Sequence, residues 1–112
     1  MPCLDISTNV SLDGVDTDSI FSEATKAVAA IIGKPESYVM VLLKGSVSIS
    51  FGGNKEAAAF AEIVSMGGIN SEVKRKLIAT IGSILEKKLC IPRSRFFLKV
   101  FDTTVGRNNS KM

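Results

Sequence analysis

DTDSIFSEATKAVAAIIGKP, residues 16–35, and NSEVKRKLIATIGSILEKKLCIP, residues 70–92, follow one plan written twice. In the first, Ile20, Phe21, Ala24, Ala27, Val28, Ile31 and Ile32 recur at the spacing of a single helix face. Asp16, Thr17 and Asp18 offer capping side chains, and Gly33 followed by Pro35 is a stop signal. In the second, Asn70 is the cap, and Val73, Leu77, Ile78, Ile81, Ile84, Leu85 and Leu89 make the apolar face before Pro92. Each helix leads into an apolar run of strand length, Tyr38-Val39-Met40-Val41-Leu42-Leu43 and then Phe96-Phe97-Leu98-Lys99-Val100-Phe101.

A displacement of about 57 residues superposes the two units. Ile20 falls on Leu77, Ala24 on Ile81, Val28 on Leu85, Ile32 on Leu89 and Pro35 on Pro92. Pro2 falls on Ala59, so Cys3-Leu4-Asp5-Ile6-Ser7-Thr8 corresponds to the strand that precedes the second helix, Ala59-Phe60-Ala61-Glu62-Ile63-Val64-Ser65. The expected fold is α+β: a tandem β-α-β repeat making one four-stranded mixed sheet with both helices on one face. The domain spans residues 1–102, in units of about 2–51 and 58–102, and residues 103–112 form a tail. Val47-Ser48-Ile49-Ser50-Phe51 alternates apolar and polar residues, the pattern of a short extra strand before the Gly52-Gly53 turn. Two helices cover one sheet face, yet the runs 39–43 and 96–101 read as apolar on both. Nothing else in the chain is long enough to cover the second face, so an obligate oligomer packed sheet against sheet is expected.

With 112 residues, 46% hydrophobic and 22% charged, the chain is globular in composition and of single-domain size. A net charge of +3, without basic residues interleaved with aromatics, gives no reason to expect a nucleic-acid partner. No run approaches a membrane span, so no membrane partner is expected, and residues 2–8 read as a strand rather than a secretory signal. Cys3 and Cys90 have no metal or redox spacing and read as small buried side chains in a reducing compartment. The basic run Lys74-Arg75-Lys76, with Lys87-Lys88, reads as the solvated face of the second helix. No metal or other cofactor is expected. Because the chain contains no histidine, acid–base chemistry near neutral pH needs another group.

The opening residues, MPCLDIS, suggest which group that is. Pro2 is tolerated at the head of a strand because that position needs no ladder donor. If Met1 is removed, Pro2 becomes a secondary amine at the edge of a packed sheet.

The chain resembles the macrophage migration inhibitory factor and D-dopachrome tautomerase family of the tautomerase superfamily. The resemblance rests on Met1-Pro2, Thr8-Asn9-Val10, Ser22-Glu23, Gly33-Lys34-Pro35, Phe51-Gly52-Gly53, Ser65-Met66-Gly67, Arg95, Asp102, Val105-Gly106 and Asn108-Asn109-Ser110, in this order along nearly the whole chain. Leu12-Asp13-Gly14-Val15-Asp16 and the short tail are most similar to plant members. The resemblance implies a homotrimer whose three sheets wrap into a barrel, and a catalytic base at the Pro2 nitrogen once Met1 is lost. A free α-amino group titrates near ~7.7–8.0, and burial or neighbouring lysine charge lowers that value. The neutral amine can then move a proton α to a carbonyl. The implied activity is keto–enol tautomerisation of phenylpyruvate-like aromatic α-keto acids. By the same resemblance Lys34 binds the substrate carboxylate, the Ser65-Met66 segment offers it a backbone N–H, and Tyr38 stands at the pocket mouth, supplied by a neighbouring subunit.

Phe97 and Lys99 depart from the family pattern, in which a tyrosine and an asparagine line the pocket. Phe97 keeps a ring without its hydroxyl, and Lys99 puts a long cation where a neutral amide stands. Arg107 replaces a rim tryptophan of some members, and Ala58 and Ala61 stand where animal members carry a Cys-x-x-Cys, so that thiol chemistry does not carry over. The departures imply low or altered activity. They also sustain a second reading, a cytokine-like protein that binds a receptor and keeps a vestigial pocket. Ser110-Lys111-Met112 resembles a C-terminal peroxisomal address, with the cytosol as the alternative location.

Overall fold

Asp16 and Asn70 each accept a hydrogen bond from the amide three residues on, Ser19 at 3.1 Å and Val73 at 2.8 Å. These two caps satisfy N–H groups that would otherwise lack partners and start the two helices. In the computed structural model, which describes residues 1–104, the helices are α1 (Thr17–Ile32) and α2 (Ser71–Leu89). The strands are β1 (Cys3–Thr8), β2 (Met40–Lys44), β3 (Ala59–Ser65) and β4 (Phe96–Asp102). Both helices end on a left-handed residue, Gly33 at φ 83° and Cys90 at φ 57°, and each is followed by a 3-10 turn, Glu36–Tyr38 or Arg93–Arg95. The duplication seen in the sequence therefore reaches down to the helix ends.

The sheet runs β2-β1-β3-β4. β1 pairs parallel with β2, β3 parallel with β4, and the two halves meet antiparallel along β1 and β3. Leu4, Ile6, Ala59, Ala61 and Ile63 project from one face into a single cluster with Ile20, Ala24, Val28, Leu77, Ile81 and Leu85. Burying each leucine or isoleucine there contributes roughly 1.5–3 kcal/mol of transfer energy. Both helices therefore lie on this face.

The opposite face is more mixed than the apolar runs suggest. Its exposed apolar residues lie mainly on the outer strands, Met40 and Leu42 on β2 and Phe97 and Phe101 on β4, joined by Phe60 on β3. A charged row of Asp5, Glu62 and Lys99 crosses the middle. Because side chains alternate along a strand, apolar neighbours on β2 and β4 point to opposite faces.

Four further readings are corrected. Residues 47–51 form no strand: Phe51 makes one bridge to Asn54, while the Val47 amide donates to the Thr8 carbonyl at 2.9 Å. Cys90 is exposed, because as the left-handed cap it stands outside the helix, and Cys3 is half-buried. Ile78 is 47% exposed, turned away from the sheet although it fits the apolar spacing. Lys88 is half-buried rather than free: its Nζ lies 2.7 Å from Glu23 Oε2 and donates to Ser19 Oγ at 2.8 Å, tying α2 to α1.

Candidate active site

β1 and β2 begin, and β3 and β4 end, at one edge of the sheet, and Pro2 stands there. Pro2 is fully buried, and its carbonyl accepts from the Met40 amide at 2.9 Å. Met1 precedes it, 68% exposed, so in this form the Pro2 nitrogen is an amide without a basic lone pair. The Cys3–Val64 register places Pro2 beside Ser65, on the face that carries the helices.

Three other predicted residues come to the same edge. Lys34 follows the Gly33 cap of α1, and its amide donates to the Ala29 carbonyl at 3.0 Å. Tyr38 closes the 3-10 turn leading into β2 and is 54% exposed. Met66, 59% exposed, begins the loop after β3. That loop presses on the end of α1: a Cβ placed on Gly68 would lie 3.0 Å from Ile32 Cγ2 and 3.1 Å from the Ile32 carbonyl. The loop carrying Met66 is thereby held against the helix end that delivers Lys34.

Asp102, at the end of β4, fixes the turn from below. Its Oδ1 accepts from the Gly67 amide at 3.1 Å, the Thr104 amide at 3.0 Å and Thr104 Oγ1 at 2.6 Å. Buried Ser65 donates through Oγ to the Gly67 carbonyl at 2.8 Å. The resemblance pointed to Asp102 without a role; the carboxylate at a strand end opposite a Gly-Gly turn is the signal for one.

Phe97 and Lys99 are not brought to this edge within one chain. Both lie on the open face, Phe97 level with Phe60 and Ser7, Lys99 level with Glu62 and Asp5. At about 3.3–3.4 Å per residue and ~4.8 Å between strands, Phe97 is roughly 20 Å from Pro2. Its ring stacks on Phe60, with centroids 5.8 Å apart, and Lys99 Nζ lies 3.4 Å from Glu62 Oε2. On the same face the Cys3 thiol is pushed above its ordinary pKa by burial and then by the Asp5 and Glu62 carboxylates.

Other motif residues serve the scaffold. Arg95 donates to the carbonyls of Ala57 (2.9 Å), Glu56 (3.0 Å) and Phe51 (3.2 Å), with its guanidinium 5.1 Å over the Phe51 ring. Asn9 donates to the Glu56 carbonyl at 2.9 Å and accepts from the Ala58 amide at 2.9 Å. Together they shape the 51–58 connection into β3. Among the described residues no helix is long and apolar enough to cross a membrane, and no group of three acidic or thiol side chains could hold a metal. Ser110, Lys111, Met112 and Arg107 lie outside the described residues.

The duplicated β-α-β sheet with buried Pro2 at its edge agrees with the tautomerase fold that the resemblance implies. The family model "Macrophage migration inhibitory factor (MIF)" matches residues 1–112. A macrophage migration inhibitory factor homolog of Trichuris trichiura is 36% identical over 113 aligned residues, covering 98% of both chains. The Xenopus laevis macrophage migration inhibitory factor is 32% identical, covering 98% of this chain and 97% of its own. Among solved structures, the Prochlorococcus marinus homologue superposes with TM-score 0.85 at 28% identity, covering 89% of this chain and 87% of that one. The Trichinella spiralis protein does so with TM-score 0.82 at 32% identity, covering 89% and 88%. The chain belongs to the macrophage migration inhibitory factor family.

Proposed function

We propose that the protein has weak or altered keto–enol tautomerase activity on small aromatic α-keto acids of the phenylpyruvate kind, acting as a homotrimer with the Pro2 amine as base after loss of Met1. The observation that carries this reading is the convergence of buried Pro2, Lys34 and the Ser65–Met66 segment at one sheet edge. The Lys34 ammonium and the Met66 N–H take the substrate carboxylate. The neutral Pro2 nitrogen removes the proton from the carbon next to the carbonyl, the carbonyl oxygen gains one from solvent, and the reverse steps regenerate the ketone. Burial favours the neutral amine because an ammonium loses hydration there. The reaction is an isomerisation and needs no metal or other cofactor.

The trimer is supported by the open sheet face, where Met40, Phe60, Phe97 and Phe101 are each 43–57% exposed. Exposed apolar side chains of this size, on both sides of the Asp5–Glu62–Lys99 row, favour a covered face. Phe97 and Lys99, which the resemblance assigns to the pocket, lie far from Pro2 within one chain and would reach it from another copy. A second reading, a receptor-binding protein with a vestigial pocket, is favoured by the missing hydroxyl at Phe97 and the cation at Lys99. Ser110-Lys111-Met112, where it ends the chain, supports delivery to peroxisomes, with the cytosol as the alternative.

The test is an ultraviolet enol-to-keto assay on phenylpyruvate, with the N-terminus checked by mass and the assembly by light scattering. Trimeric protein beginning at Pro2 should catalyse the conversion, and Pro2→Gly should abolish it with the trimer intact. A processed, trimeric protein without activity supports the receptor-binding reading instead, and a folded monomer removes the trimer.

A further inference from the structure

On the layer of the molecule away from the open sheet face, an open trough of about 560 Å³ runs between α1 and α2. Lys26 rises from α1, Lys87 from α2 and Arg93 from the turn after α2, while Ala27 and Ile84 contribute apolar surface. None of the three cations makes an ion pair among the described residues. Thr80 and Ser83 also line the trough, half-buried and with hydroxyls that no group among the described residues engages. The one carboxylate present, Glu23, is already held by Lys88 at 2.7 Å. Arg93 lies close along α2, because a Cβ on Gly82 would come within 3.0 Å of its Nε and 3.4 Å of its Cδ. The glycine notch thus brings a guanidinium beside the Thr80–Ser83 stripe.

We propose that this interhelical trough is a binding site for a small organic phosphate or sulfate. The unpaired cations and free hydroxyls take the anionic oxygens, and the carbon skeleton rests on Ala27 and Ile84. Charge-assisted hydrogen bonds from a planar guanidinium and two ammonium groups suit a tetrahedral oxyanion. The volume falls within the range of small-molecule sites, roughly 300–1,000 Å³. Because the trough lies on the helices, covering the open sheet face leaves it accessible, and it does not depend on chemistry at Pro2.

The test is an NMR titration of the full-length, ¹⁵N-labelled protein with phenyl phosphate and inorganic phosphate at constant ionic strength. Phenyl phosphate should give saturable shifts at Lys26, Ala27, Thr80, Ser83, Lys87 and Arg93. It should bind about tenfold more tightly than inorganic phosphate, since the ring covers apolar surface. Lys87→Gln and Arg93→Gln should each weaken binding about tenfold. The Thr80→Val, Ser83→Ala double substitution, which changes no charge, should weaken it about threefold or more, whereas Lys74→Gln, outside the trough, should leave it unchanged. Non-saturating shifts, shifts of equal size at residues 74–76, or equal affinity for the two phosphates would each overturn the proposal.

Discussion

Asp5 faces Glu62 directly across the β1–β3 pair, and each carboxylate is answered by a lysine from an outer strand. Lys44 Nζ lies 3.2 Å from Asp5 Oδ1, and Lys99 Nζ lies 3.4 Å from Glu62 Oε2. Among the described residues, buried Asp5 Oδ1 has no hydrogen bond of good geometry, although Oδ2 accepts from Lys44 at 3.3 Å. Like charges opposite one another in a sheet repel, so the outer lysines make the row tolerable. Lys99 therefore serves the sheet as well as any pocket.

Lys99→Asn should destabilise the protein by about 0.2–1 kcal/mol, the range for exposed ion pairs. Glu62→Gln in the same chain should remove most of that loss. Urea unfolding of the two single variants and the double variant measures the coupling, and strictly additive losses would mean that the pair contributes nothing.

Under the proposed tautomerase reading the same position also bears on activity. Phe97→Tyr with Lys99→Asn should raise kcat/KM for phenylpyruvate about tenfold, equivalent to about 1.4 kcal/mol at the transition state. The double change should exceed either single one. Carried on a Glu62→Gln background, the comparison separates catalysis from the stability effect. A processed, trimeric double variant no faster than the parent would place the obstruction elsewhere.

Asp102→Ala should loosen the Met66 turn, because the Gly67 and Thr104 amides lose their acceptor. Leaving part-buried donors unpaired costs about 1–3 kcal/mol, which thermal unfolding should register. If the turn presents the Met66 N–H to a carboxylate, KM should rise more than kcat falls, and Asp102→Asn, which keeps an acceptor oxygen, should recover part of the loss. An equal fall in kcat with KM unchanged would argue against the positioning role.

The hydrogen bond from Lys88 chiefly holds the Glu23 carboxyl below the ordinary carboxylate range; lost hydration opposes this, while the Lys88 and Lys87 charges and the Ser19 hydroxyl add to it. A carboxyl depressed on folding stabilises the native state above its unfolded pKa, and the contribution is lost as pH falls through the folded value. Stability should thus decline as pH drops below the ordinary carboxylate range, and Glu23→Gln should flatten that part of the profile. Midpoints of urea unfolding across acid pH measure this, and identical slopes for parent and variant would exclude a role for the pair.

A fluorescent protein fused ahead of residue 1 leaves Met112 free where it ends the chain. Punctate, peroxisomal signal that becomes diffuse on deleting Ser110, Lys111 and Met112 is the expected result. Diffuse signal with the tail intact would assign the tripeptide no targeting role.

The Asn70 cap, the first cap to within Asp16–Asp18, the repeated helices and the β-α-β order of each unit are legible in the sequence, because capping and periodicity are local properties of a chain. Periodicity alone misassigned Ile78, which fits the spacing but turns to solvent, and Lys88, which looked solvated until α1 placed Glu23 beside it. At the candidate site, Pro2, Lys34 and Met66 could be named from the sequence, but not Asp102's hold on the turn or the sheet face taken by Phe97 and Lys99. Those depend on register. One position along a strand reverses a side chain from the helix-covered face to the open one, and only pairing between strands far apart in sequence sets that position.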